Sequence, residues 1–183
     1  TKIKSNTIIH KDGVVTYSGA GVGIENSAVE LKISANSQIQ GNTIDNSASI
    51  AQNPQAEGIG LWLGNSATTT VENTVISGNI LTAKTGSKAY GGGIYVGGGE
   101  LTLGQGANVS GHDISSASGE AQGGGIHIAG GRLILEGNAA VGDNKAFNGG
   151  GIAVIGGTLS MSGGEVSGNT ATDDGGGVYV SAD

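Results

Sequence analysis

The sequence predicts an all-β chain, a right-handed parallel β-helix solenoid of three strands per coil and about six coils. Three observations carry that expectation. A glycine-led phrase recurs along the chain, apolar residues alternate with period two inside each recurrence, and the variation in unit length falls in a single connection.

The phrase gives one anchor per unit: Ile24 (GVGI), Leu61 (GIGL), Ile94, Ile126 and Ile152 (each GGGI), and Val178 (GGGV). A second anchor, on the third strand of each unit, falls at Ile39, Ile76, Val109, Val141 and Val166. From first anchor to third the spacing is 15 in four units and 14 in the fifth. From third anchor to the next first it is 22, 18, 17, 11 and 12, so insertions are expected to emerge at one corner of a stack. Ile3 and Ile8 read as the tail of an earlier coil, and residues 1–183 as one domain cut from a longer solenoid.

Each unit then follows in order. The first strand reads Ile-x-Val, and the second Leu-x-Ile, Leu-x-Leu or Leu-x-Met (Leu31/Ile33, Leu101/Leu103, Leu133/Leu135, Leu159/Met161), with alternate side chains on one face. These runs are too short for helices. Paired glycines at the bends supply backbone conformations that other residues resist. Asn42, Asn79, Asn144 and Asn169 recur at the third bend, with His112 in the equivalent place. They are expected to take a left-handed bend conformation and to stack on their counterparts one coil away. One unit offers about five core aliphatics (Ile152, Val154, Leu159, Met161, Val166), too few to offset the entropy of ordering its backbone, so units must stack on one another. Right-handedness is expected from the general bias of parallel crossovers.

Composition narrows function by exclusion. Thirty-eight of 183 residues are Gly, yet the regular aliphatics argue against disorder and the lack of a three-residue Gly period against collagen. Eight Lys plus Arg against fifteen Asp plus Glu, a net charge of −7, repel nucleic acid and anionic lipid. The absence of Cys removes disulfides and thiolate chemistry and fits a chain that crosses a redox boundary unfolded. No run approaches 18 apolar residues, so this segment is not expected to insert into a membrane.

The stretch Ser167 to Val180, SGNTATDDGGGVYV, resembles the repeats of bacterial surface β-helix proteins. These are the passenger domains of autotransporter adhesins and the polymorphic outer-membrane proteins of chlamydiae, where a Gly-Gly-Ala-Ile motif follows an Asn-x-Ala turn. Here GGG stands in place of GGA and the upstream Phe of the chlamydial motif is missing, so the resemblance is to the broad class of bacterial surface repeats. It covers residues 90 to 180 well and earlier residues loosely. It implies display at the bacterial surface or secretion, and adhesion as the usual role, with no fixed catalytic residues and no cofactor.

Alternation turns the middle residue of each first strand outward: Glu25, Trp62, Tyr95, His127, Ala153 and Tyr179. In a chain that is 3 % aromatic, this clustering suggests a ladder for a sugar ring or a partner's side chains, with Trp62, Tyr95, His127, Tyr179 and Glu25 as candidate ligand-binding residues. The alternative is that the stacked side chains merely stabilise the sheet. The longer connections, Asn42 to Glu57, Asn79 to Tyr90 and His112 to Gln122, are expected to form a lateral ridge of corner loops.

Enzymatic readings find less. Asp173-Asp174, Asn42-Thr43 and Gly111-His112-Asp113 echo pieces of polygalacturonase motifs, but their order is wrong and the basic partner is absent. Arg132 is the sole Arg, without ordered acidic neighbours expected in adjacent coils. His10, His112 and His127 fall on different strands or bends and are read as surface or bend residues, so no metal site is expected.

The sequence thus favours a non-enzymatic surface segment acting in adhesion or ligand display. Its partners would be neighbouring coils and a host surface protein or glycan. A polysaccharide-binding or polysaccharide-degrading β-helix is the alternative, and a structural spacer without its own ligand the third.

Overall fold

The computed structural model describes residues 1–9, 16–26, 30–65, 68–115, 117 and 120–181. His10 lies outside them. The described chain is all-β, with parallel strands in stacked sheets, an arrangement compatible with a β-helix solenoid.

Three sheets run most of its length. The first wall comprises Val22–Asn26, Leu61–Asn65, Ile94–Val96, Ile126–Ile128, Ile152–Val154 and Val178–Val180. The second comprises Glu30–Ile33, Thr68–Val71, Glu100–Leu103, Arg132–Leu135 and Thr158–Met161. The third comprises Lys2–Lys4, Ser37–Gln40, Thr74–Ser77, Asn108–Ser110, Ala140–Gly142 and Glu165–Ser167. Alternation sends one side chain in two inward from each wall. Leu61, Ile94 and Ile126 from the first, Leu101 and Leu133 from the second, and Ile76, Val109 and Val141 from the third share one buried apolar core. The third-strand anchors pair in an unbroken series, Ile3 with Ile39, then Ile76, Val109, Val141 and Val166.

The expected corner loops are built structures rather than free loops. Thr43–Asp45 and Ile80–Thr82 pair in one short sheet with Thr7–Ile9. Gln55–Glu57, Lys88–Tyr90 and Glu120–Gln122 form another with Thr16–Ser18. Beneath them Ile44, Ile59, Leu81, Ile114 and six alanines make a second apolar cluster. The sequence concealed this because its inward side chains are largely Ala, which carries little hydrophobic signal.

The third bend holds a ladder of amide side chains with one imidazole among them, buried at every rung but the half-buried Asn169. The backbone N–H of Asn42 donates to Asn79 Oδ1 (3.0 Å), that of Asn79 to His112 Nδ1 (3.2 Å), that of His112 to Asn144 Oδ1 (3.1 Å), and that of Asn144 to Asn169 Oδ1 (3.0 Å). Each Asn also donates from Nδ2 to a third-wall carbonyl of the preceding round, as Asn144 does to Val109 (3.1 Å) and Asn169 to Val141 (2.9 Å). His112 matches both functions, since Nδ1 accepts while Nε2 lies 3.0 Å from the Ile76 carbonyl and must carry the proton. The left-handed conformation expected of these Asn residues belongs instead to the residue before each one: Gly41, Gly78, Gly111, Asp143 and Gly168. The bend is made one residue earlier, which frees the amide to point inward.

The first round also corrects the register. Val22 pairs with Leu61 and Gly23 with Trp62, so Val22 is the anchor rather than Ile24, and Glu25 is not the rung below Trp62. The residues read GAGVGI, and the two overlapping phrases GAGV and GVGI look alike in sequence. Space decides between them. A Cβ on Gly21 would lie 2.4 Å from the Gly60 carbonyl oxygen and within 3 Å of Ile39 and Asn42, the same crowding that Gly60, Gly93, Gly125 and Gly151 meet. A Cβ on Gly23 would meet nothing within 4 Å. Only GAGV therefore places a glycine at the tight position. Gly21→Ala should cost about 2 kcal/mol or more, whereas Gly23→Ala should change stability by less than about 1 kcal/mol, read from urea unfolding midpoints. Equal effects, or the reverse order, would restore the Ile24 register.

Candidate functional site

The first wall carries its outward side chains in register. Trp62 pairs with Tyr95, Tyr95 with His127, His127 with Ala153, and Ala153 with Tyr179. The first three form a continuous stack. The Trp62 and Tyr95 rings lie 6.3 Å apart and 5° from parallel, and the Tyr95 and His127 rings 5.4 Å apart and 7° from parallel. That is the offset stacking that aromatic quadrupoles favour. Glycines make room for it, because a Cβ on Gly64 would sit 2.9 Å from the Trp62 ring and one on Gly97 3.1 Å from the Tyr95 ring.

Tyr179 does not join the stack. Ala153 intervenes, itself fully buried, so the wall has no aromatic step between His127 and Tyr179. Glu25 lies on the same face as Gly23, opposite Gly64 in the register, at the rim of Trp62. His127, expected at the surface, is buried, with 4 % of its area exposed. Tyr90 covers it at a ring separation of 4.9 Å and a tilt of 43°.

Tyr90 comes from the short sheet beside the first wall, which sequence analysis did not assign to the site. A positional signal was there. The residue immediately before each glycine phrase, Ser18, Glu57, Tyr90, Gln122 and Asn148, forms a second ladder alongside the aromatic one. Glu57 anchors the outermost ring, its Oε2 accepting the Trp62 Nε1–H at 2.9 Å and the Ser18 hydroxyl at 3.5 Å. Its Oε1 accepts from Gln55 Nε2 at 3.3 Å. Glu120 accepts the Tyr90 hydroxyl and pairs with Lys88 at 3.2 Å.

Burial governs the electrostatics. It pushes the Tyr95 phenol up to about 12, with the Glu57 charge adding to the effect, and raises Tyr90 further with help from Glu120. It lowers both His127 and His112 to about 4, although His127 also bonds the Gln122 backbone. His127 Nδ1 is buried with no hydrogen-bond partner among the described residues.

Below Trp62 the stack ends at Gly23. There a depression of about 430 Å³ is lined by Thr16, Ser18, Gly23, Glu25 and Trp62. Elsewhere the candidate chemistry is dispersed. Asp173 and Asp174 are exposed. Arg132 faces Glu100 across one rung at 3.9 Å, an exposed pair, so its neighbour is acidic and ordered after all. Among the described residues no group of three His, Cys, Asp or Glu is placed to hold a metal ion, and no helix is long and apolar enough to cross a membrane.

The chain matches no family model, no curated protein and no solved structure. The site must therefore be read from its own chemistry.

The two buried imidazoles make stability depend on pH. Their folded pKa values near 4 lie below the ordinary 6.5, so between those values the unfolded chain binds more protons. The stability that neutral histidines preserve is complete above about pH 6.5 and drains away as pH falls toward 4. From pH 7 to 4.5, His127→Phe should lose roughly 2–3 kcal/mol less than the unaltered protein, measured by urea unfolding at each pH. An identical pH slope in both would mean that His127 titrates as an exposed group.

Proposed function

We propose that this chain is a segment of a right-handed parallel β-helix, with three principal strands per coil and about six coils. Its role is adhesion or ligand display at the bacterial cell surface or in secreted form. The short sheets are then corner arms added to that three-walled coil.

The observation that carries the reading is the Trp62–Tyr95–His127 stack on an outward wall, anchored by acidic and amide side chains of the neighbouring sheet and ending in an open depression. A rigid sheet that ends an ordered stack in an open indole face is a prepared contact surface: its side chains are already ordered, so a partner need not supply their ordering entropy. The resemblance of residues 167–180 to bacterial surface repeats supports the same setting. No residue is assigned a catalytic role, and the partner is a host surface protein or glycan.

The purified chain should be retained on immobilised glycans or host-surface preparations. Trp62→Ala should weaken that retention at least about tenfold, the usual scale for truncating a central aromatic anchor. Retention unaffected by changes in both the ladder and the corner arms would remove the site. Absence of retention on any surface would favour a spacer. Release of reducing sugar from a polysaccharide would replace display with catalysis.

A further inference from the structure

The aromatic ladder has one vacant rung. Register places Gly23 directly beneath Trp62, and its missing side chain leaves the Trp62 face opposite Tyr95 bordering the depression. The backbone at Gly23 is ordinary, without a positive φ, and a Cβ there would meet nothing within 4 Å. Neither backbone conformation nor crowding calls for glycine here, unlike at Gly19 or Gly21. What the glycine provides is space, one ring deep, next to an indole whose orientation is fixed by Glu57.

We propose that this vacant rung binds an uncharged pyranose ring, as a terminal or internal residue of a glycan, stacked on Trp62. The proposal rests on the display reading above and names its ligand class. A pyranose has a C–H face that suits the negative π-face of the indole and a rim of hydroxyls that both donate and accept. The depression supplies the matching rim. Glu25 engages no hydrogen bond or ion pair among the described residues and is free to accept two hydroxyls, while the Thr16 and Ser18 hydroxyls donate or accept beside it. The volume of about 430 Å³ accommodates one to two sugar rings.

Other guests fit less well. A quaternary ammonium is held by an aromatic cage, and here the described residues offer only one aromatic face. A planar aromatic side chain would leave the hydroxyls and Glu25 against apolar ring edges, with their water removed and nothing returned. Uronic or sialic acids would bring their carboxylates to Glu25 and Glu57 in a chain of net charge −7.

Trp62 is the sole tryptophan, so its emission reports on this rung alone. The experiment titrates the intact chain with methyl glycosides of common neutral hexoses and their β-linked disaccharides, following Trp62 fluorescence. At least one should shift the emission saturably, with Kd on the order of 1 mM for a ligand of this size. Gly23→Tyr fills the rung without crowding the backbone. It should raise that Kd at least tenfold while leaving the thermal unfolding midpoint unchanged or higher. Glu25→Gln should weaken binding about three- to tenfold.

Three results would overturn the inference: no glycoside shifts the emission, tetramethylammonium or N-acetyltyrosinamide binds where the glycosides do not, or a glycoside binds equally well to Gly23→Tyr. In each case retention on a host surface through the stack's exposed edges or the corner arms would leave the display reading standing. Loss of all retention would remove both.

Discussion

Everything in this molecule depends on one constraint, the residue-for-residue register between successive rounds of chain, and the buried amide ladder at the third bend enforces it. Asn42, Asn79, His112, Asn144 and Asn169 each accept a backbone N–H from the round before, and the side chains of Asn79, His112, Asn144 and Asn169 each reach back to a carbonyl of that round's third wall. Asn42, Asn79, His112 and Asn144 are shielded from water, so a slip would leave donors and acceptors unpaired on both sides at once, at a cost of about 1–3 kcal/mol for each. Apolar side chains alone would tolerate a slip of two residues, because strand periodicity returns the same face. The amides do not, and the tight glycines at 21, 60, 93, 125 and 151 reinforce them by admitting only one approach of chain to chain.

Fixed register determines what the outer surface can do. Residues 33 and 32 apart in sequence, Trp62, Tyr95 and His127, become neighbours in a stack because the rungs between them are locked. Length variation is pushed into the corner arms, which fold back as paired strands and bring Glu57, Tyr90 and Glu120 against the aromatic wall. The first wall is therefore closed in its interior, where His127 and Ala153 are buried, and open where Trp62 stands above Gly23.

Much of the scaffold could be read from sequence, for a physical reason. Ile39, Ile76, Val109, Val141 and Val166 sit inward in short strands paired one on the next, and period-two alternation at a nearly fixed spacing is the local signature of such parallel stacking. The site was half legible: alternation identified Trp62, Tyr95 and His127 as sharing a face, but not that Tyr90 would bury the last of them. Glu25 was misplaced because GAGVGI offers two equivalent phrases, and only the contacts of Gly21 with another round distinguish them. Glu57 and Tyr90 were missed because their inward neighbours are alanines, whose burial leaves almost no hydrophobic imprint. Long-range contact decided each of these, and local pattern does not encode it.

The amide ladder gives the chain a rigid frame, and the end of the aromatic stack gives it a small exposed chemistry, the combination on which the proposed display role rests. In the proposed complex a sugar face lies on Trp62 over Gly23. Saturation-transfer NMR tests it most directly, by irradiating aromatic protons of the protein and reading the saturation received by each proton of a bound methyl pyranoside. The C–H protons of one ring face should receive the most, and Gly23→Tyr should abolish the pattern in a protein that remains folded. Uniform saturation of both faces, or a face pattern that survives Gly23→Tyr, would contradict it.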